Sequence, residues 1–394
     1  MSRLPTKTNA AAQHIQSLIT QAEQLFEANN IDEALALLAE AESKHSDQPN
    51  FPYLVGKFTA RKKSVKDGIE KLEATLEQFP THLNTILELG DIYLKPGNVK
   101  KAAQYFHLAL ETAPLNPSVQ AALGALNQRK ADLPRAVDYY RKAIELQLKN
   151  PITEKPHISK EDFKIHEAEA LLWETLGLLT ENGIHVFMAF GSLLGIVRNG
   201  ELLLHDKDVD VGLPYSEMQR AVRILEKNGW KEANNSFGYI SPRALVHQES
   251  GFSLDLFGFM IDEETKHATC LGIVIADTPK DWNILWDFDH IELEKGKTPD
   301  GKHHVWHLKN PEHWLETIYG DWRTPDKHFD TLLAAKNLRS FSLLTKCFAY
   351  SRIFGHWTAN NIPKALAATR VVLSYEPNDT LIKKVLSRLE SRRK

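Results

Sequence analysis

The sequence predicts an α+β chain in three parts: an all-α solenoid over residues 12–150, a mixed sheet with helices over 155–345, and a divergent helical repeat over 346–390. Three observations predict it. Small and large residues recur at a 34-residue step through the first 150 positions, helix-period and strand-period patterns alternate from 161 to 262, and the repeat pattern returns at 360–379.

The repeats come first. Gly56, Gly90 and Gly124 are spaced by 34, as are Ala34, Gly68, Ala102 and Ala136, and again Leu38, Leu72, Phe106 and Tyr140. Leu89, Gly90, Tyr93, Ala102, Phe106, Ala109 and Pro114 have the spacing of the tetratricopeptide signature, and Leu123, Gly124, Ala136, Tyr140 and Ala143 repeat it. The resemblance implies four stacked helical hairpins, at about 15–48, 49–82, 83–116 and 117–150. Small residues let the two helices of a hairpin approach, and the large residue four positions later is expected to fill the gap between one unit and the next. In "NNIPKALAATRVVLSYEPND" Ala365 and Pro377 stand twelve apart, like Ala102 and Pro114, so a fifth unit is expected after the central domain. Such arrays imply a protein partner, recruited or oriented by the repeats.

The polar linker "KNPITEKPHISK" then gives way to a different pattern. Residues 161–182 predict an amphipathic helix, 184–190 a buried strand, 216–229 a helix capped by Ser216, and 252–262 a further strand. Alternation of this kind fits an α/β or an α+β domain.

One stretch carries chemistry, "FGSLLGIVRNGELLLHDKDVDVGL" at 190–213. Side chains alternate along a strand, so Asp208 and Asp210 share one face while Val209 and Val211 turn to the core. Adjacent carboxylates repel, and a divalent cation, Mg²⁺ or Mn²⁺, resolves that repulsion. Asp255, in "SLDLF", is a candidate third carboxylate from a neighbouring strand. Gly191 and Ser192, at a strand-to-helix turn, offer N–H groups and a hydroxyl to phosphate. Asp206 stands at the mouth of the strand, a candidate for capping or orienting. The histidines of "KHHVWH", with His313, lack a carboxylate or cysteine at ligand spacing and predict a surface hairpin rather than a zinc site. Trp314, Tyr319 and Trp322 predict core packing.

Composition limits the alternatives. A formal charge of −3 excludes bulk nucleic-acid affinity, which needs a basic surplus. Cys270 and Cys347 are the two cysteines, so a reducing compartment is expected. The first residues lack the apolar run of a signal peptide, and no stretch approaches 18 apolar residues. The expected location is cytoplasmic, with at most peripheral contact at the inner membrane face through the basic tail "KKVLSRLESRRK".

Three blocks in order resemble the LicD and fukutin family: "GSLLGIVRNGELLLHDKDVDVGL", "FSLDLFGF" and "HWLETIYGDWRTP". The resemblance implies a nucleotidyltransferase fold and phosphotransfer from a CDP-linked alcohol (choline, ribitol or glycerol) to a hydroxyl of a cell-surface glycan or glycolipid. It makes Asp208, Asp210 and Asp255 metal ligands and catalytic carboxylates, gives donor phosphate to Gly191, Ser192 and Arg198, and puts His205, Asp206 and Lys207 in supporting positions. The His-Asp-Lys-Asp form at 205–208 is closer to the fukutin side, which implies a polyol donor. Two other functions compete with this one: transfer of a nucleoside monophosphate to a small molecule or protein, and a repeat scaffold with an inactive transferase domain. The intact Asp208, Asp210 and Asp255 set stands against the second.

Overall fold

A computed structural model describes residues 7–150, 165–203, 208–233 and 238–391. It divides into two compact units, 1–122 and 123–394.

The first unit is helical hairpins. α1 (Lys7–Glu27) pairs with α2 (Ile31–Lys44), α3 (Asn50–Lys62) with α4 (Val65–Gln78), and α5 (Leu83–Leu94) with α6 (Val99–Thr112); α7 (Pro117–Arg129) follows. The glycines of α3, α5 and α7 explain the 34-residue step. A Cβ added at Gly90 would lie 2.2 Å from the Phe106 ring, and one at Gly56 would lie 2.7 Å from Leu72. The large residue therefore fills the space over the glycine of its own hairpin. This corrects the expectation that it bridges to the next unit: the missing Cβ leaves a socket on the facing helix, and the ring occupies it.

The second unit opens with the same device, Gly124 under the Tyr140 ring of α8 (Leu133–Gln147). It then holds α9 (Ile165–Glu181), β1 (Phe187–Met188), α10 (Phe190–Asn199), β2 (Asp208–Pro214), α11 (Met218–Glu226), β3 (Trp230–Glu232), β4 (Tyr239–Ser241), β5 (Arg243–His247) and β6 (Ser253–Ile261). β7 (Ala268–Ile275), β8 (Ile284–Phe288), the hairpin β9 (Leu293–Lys297) and β10 (His304–Leu308), α12 (Pro311–Tyr319) and α13 (Thr331–Ala334) complete the α+β part. The main sheet runs β1-β2-β6-β5-β3, with β7 joining β6 to β4 and β8. β2 and β6 are its parallel pair; the other pairs are antiparallel.

Local differences from the sequence reading have local causes. The expected strand 184–190 is reduced to Phe187–Met188, because the chain turns at Phe190 to start α10. Ser216 does not cap: α11 starts at Met218 after a short 3₁₀ turn. Glu217 instead accepts hydrogen bonds from the His185 backbone N–H at 2.7 Å and the His185 ring at 2.8 Å, which pins the turn. Residues 302–307 do form a hairpin strand and its turn.

α14 (Leu343–Thr358), α15 (Ile362–Tyr375) and α16 (Thr380–Glu390) close the chain. The turn before α15 is a repeat turn. Asn360 has φ 57° and Asn361 caps with φ −85° and ψ 69°, as Ala131 has φ 60° and Asp132 caps α8 with the same pair of angles. α14 packs on α8, with the buried Cys347 thiol against the Leu133 carbonyl. Arg141 of α8 bonds to the Asp379 carboxylate and, at 2.8 Å, to the Tyr350 hydroxyl. The α+β part is thus inserted between two hairpins that stack on each other.

Two outcomes follow from this packing. Gly90→Ala should lower the melting temperature, at about 1–3 kcal/mol for an overpacked contact, and Phe106→Leu in the same chain should recover most of it. Thermal unfolding of the single and double variants checks this. A chain starting at Pro117 should unfold cooperatively, whereas one starting at residue 155 lacks α8, exposes the apolar face of α14, and should aggregate or melt broadly; calorimetry of the two pieces decides.

Candidate active site

β2 and β6 run side by side with Asp208 opposite Ser253 and Asp210 opposite Asp255. Residues opposite each other in a parallel pair project from the same face, so the two carboxylates are neighbours, with Asp208 one step along. The apolar residues between them, Val209, Val211, Leu254 and Leu256, are at most 4 % exposed and fix the register, since a slip of one residue would bury the acids.

The electrostatics are those of crowded carboxylates. Burial, and then the charge of Asp208, push the Asp255 carboxyl from 3.8 up to about 7. Asp208 reaches solvent at the start of β2, yet the protein around it withdraws enough water to raise its carboxyl too. Asp210 is gripped. The Gly191 N–H donates to its Oδ2 at 3.2 Å, its own N–H donates to Ser192 Oγ at 2.7 Å, and its carbonyl accepts from the Ala189 N–H at 3.1 Å. The Gly-Ser turn, read in the sequence as a phosphate cradle, thus also holds a carboxylate at the N-terminal end of α10, where the helix dipole favours negative charge.

Gly195, the second glycine of the "GSLLG" segment, serves the same geometry. A Cβ there would stand 2.7 Å from the Glu201 carbonyl oxygen, so its absence lets 201–203 pass tightly against α10 on the way to β2. Arg198 stands in the last turn of α10. It lies seven residues beyond Gly191, about 10 Å along the helix, and its guanidinium bonds to the Trp322 carbonyl at 3.3 Å and to Asn199 at 3.2 Å. What it visibly does is tie α10 to the "YGDWRTP" block. His205, Asp206 and Lys207 lie outside the described residues. Trp314 and Trp322 are buried, as packing residues.

Sequence reading missed Phe190, which it placed at the end of a strand. Phe190 is the first residue of α10, has φ 44°, and packs against Phe257, Trp286 and Trp314 at centroid distances of 4.7, 4.9 and 5.3 Å. An apolar residue directly before Gly-Ser was the one available signal.

Among the described residues no three His, Cys, Asp or Glu side chains converge on a ready-made metal site. Asp208, Asp210 and Asp255, expected from the sequence as a set of three ligands, are therefore not assembled as one; the carboxylate oxygens of Asp208 and Asp210 are donors of the kind that Mg²⁺ takes, with water and substrate phosphates completing its shell. Among the described residues no helix is long and apolar enough to cross a membrane.

Residues 183–273, which span both acidic strands, match the family described as LicD/FKTN/FKRP, nucleotidyltransferase domain, and residues 61–126 match a tetratricopeptide repeat family. Among solved structures the chain is similar to MamA of Desulfovibrio magneticus RS-1, with 18% identity over 34% of this chain and 76% of that one and a TM-score of 0.29. It is also similar to TTC0263, a thermophilic TPR protein of Thermus thermophilus, with 17% identity over 34% and 74% of the two chains and a TM-score of 0.30. No curated protein matches the chain. Both acidic strands thus fall within the segment that matches the LicD/FKTN/FKRP nucleotidyltransferase domain, and α4, α5 and α6 fall within the segment that matches a tetratricopeptide repeat.

Proposed function

We propose that this protein is a metal-dependent phosphotransferase that moves a phosphorylated alcohol from a CDP-linked donor to a hydroxyl of a glycan or glycolipid. The observation that supports it best is the register of β2 and β6, which sets Asp210 against Asp255 beside a helix N-terminus. The family match supports transferase chemistry of this class.

Asp208 and Asp210 are assigned as ligands of Mg²⁺ or Mn²⁺, which when bound neutralises the donor diphosphate and stabilises the departing CMP. Gly191 and Ser192 border the donor phosphates at the α10 N-terminus while holding Asp210. Asp255, whose carboxyl is poised near neutrality, takes the proton of the acceptor hydroxyl. The acceptor oxygen attacks the phosphorus that bears the alcohol, in line with the bridging oxygen of the diphosphate. The anhydride P–O bond breaks, CMP leaves with the electron pair, and the acceptor gains a phosphodiester. A polyol donor, ribitol or glycerol, is preferred to choline, because a quaternary ammonium calls for an aromatic cage, and the aromatic residues near Asp210 are packed into the core. The repeats are assigned to a protein partner that presents or supplies the acceptor, on the cytoplasmic side of the membrane.

The reading is tested by incubating the protein with CDP-ribitol, CDP-glycerol and CDP-choline and following CMP. Release should require Mg²⁺ or Mn²⁺, should cease in excess EDTA, and should drop by about 10²-fold or more in Asp208→Asn and Asp210→Asn with the fold retained. A higher kcat/KM for CDP-choline than for either polyol donor would reverse the donor assignment; full turnover in EDTA would overturn the metal role.

Asp255 also predicts a stability profile. Its folded pKa lies above its ordinary value of 3.8, so the folded protein keeps a proton that the unfolded chain gives up. Without metal, stability from this group is present below about pH 4 and is lost as pH rises to about 7. In excess EDTA, Asp255→Asn should therefore be more stable than the wild type at pH 8, by about 1–3 kcal/mol, with the difference gone near pH 4. Melting curves across that range check it, and the same variant should be inactive.

A further inference from the structure

Asp210 is held by three contacts from one turn: the Ala189 N–H donates to its carbonyl, the Gly191 N–H donates to its Oδ2, and its own N–H donates to Ser192 Oγ. Phe190, in the middle of that turn, makes none of them. Its contribution is a change of direction. Ala189 is extended, with φ −133° and ψ 166°, α10 begins one residue later, and Phe190 supplies the joint at φ 44°. Left-handed backbone is disfavoured for a bulky L-residue and persists where the surroundings enforce it. Here the surroundings are aromatic. The ring is 3 % exposed and is enclosed by Phe257 of β6, Trp286 of β8 and Trp314 of α12. Phe257 stands two residues from Asp255 on the same strand, so one cage contacts both the turn that grips Asp210 and the strand that carries its neighbour.

We propose that Phe190 is a positioning residue for Asp210: the caged ring holds the left-handed turn that delivers the Gly191 N–H to the carboxylate. Glycine at 190 would adopt the angle freely and have no ring to lock it; leucine would keep the burial and fit the flat cage poorly. The role rests on the reading of Asp210 as a metal ligand, and it has a readout independent of any donor.

The test compares the full-length wild type with Phe190→Leu, Phe190→Gly and Trp314→Leu, the last leaving Phe190 in place and removing one wall of its cage. Hydrogen exchange at single-residue resolution should show the Gly191 amide exchanging about tenfold faster or more in the folded variants, with amides of the β9–β10 hairpin unchanged. Mn²⁺ affinity, measured by electron paramagnetic resonance, should weaken by about 10–100-fold, the range for losing a group that orients a metal ligand. In the CMP assay kcat should fall while KM for the donor stays within about twofold, since a group acting through the reacting centre changes kcat and not uniform binding. A Gly191 amide that exchanges as slowly in Phe190→Leu and Trp314→Leu as in the wild type, or an unchanged kcat in either, overturns the positioning role. A wild type that releases no CMP from any CDP-alcohol, in chains that still show the exchange and Mn²⁺ changes, overturns the donor reading and leaves this role standing.

Discussion

The parallel pairing of β2 with β6 is the constraint on which the rest of the site depends. It is the parallel contact in an otherwise antiparallel sheet, and it alone sets Asp210 opposite Asp255. Parallel neighbours need a crossover, and here the crossover carries α11, β3, β4 and β5, so two elements of the same small site are far apart in sequence. The register is held from the opposite face, where Val209, Val211, Leu254 and Leu256 are buried. Apolar packing on one side of the sheet thereby sustains charge crowding on the other, where burial and the charge of Asp208 raise the Asp255 carboxyl.

The segments flanking this pair are devoted to keeping the crowded face in place. The Gly-Ser turn fixes Asp210, Gly195 admits the strand that follows, and Arg198 ties α10 to the Trp322 backbone. The aromatic layer of Phe190, Phe257, Trp286, Phe288 and Trp314 then links α10, β6, β8 and α12 under one set of ring contacts. The three blocks that carried the family resemblance are therefore three walls of one local structure, although they are spread from 190 to 325.

Much of this was legible in the sequence, and the reasons differ by part. The hairpins were readable because each needs a small residue facing a large one at a fixed step, as at Gly90 and Phe106, a constraint local to about 34 residues. The face of Asp208 and Asp210 was readable from period-two alternation. Three features were not. The socket filled by Phe106 was misjudged because spacing says which residues are large, not which helix they face. Ser216 looked like a cap, and the turn is instead set by Glu217 reaching His185 32 residues away, a contact no local pattern encodes. Phe190 continues an apolar run, and nothing along the chain marks the left-handed angle that the distant Trp286 and Trp314 impose.

The insertion of the α+β part between α8 and α14 has a consequence for synthesis on the ribosome. When α8 is complete, the apolar face that will receive α14 has no partner, because the covering helix starts 196 residues later in the chain. At roughly 5–20 residues per second that delay is on the order of 10–40 s. Throughout it the nascent chain presents an unfinished solenoid end beside an acidic sheet still being assembled, and Cys347 and Tyr350 dock only after that sheet is made. The later hairpin thus acts as a closing stitch: it joins the folding of the second unit to the arrival of α14, and a chain truncated before that helix is left with an adhesive surface where the folded protein has packed core.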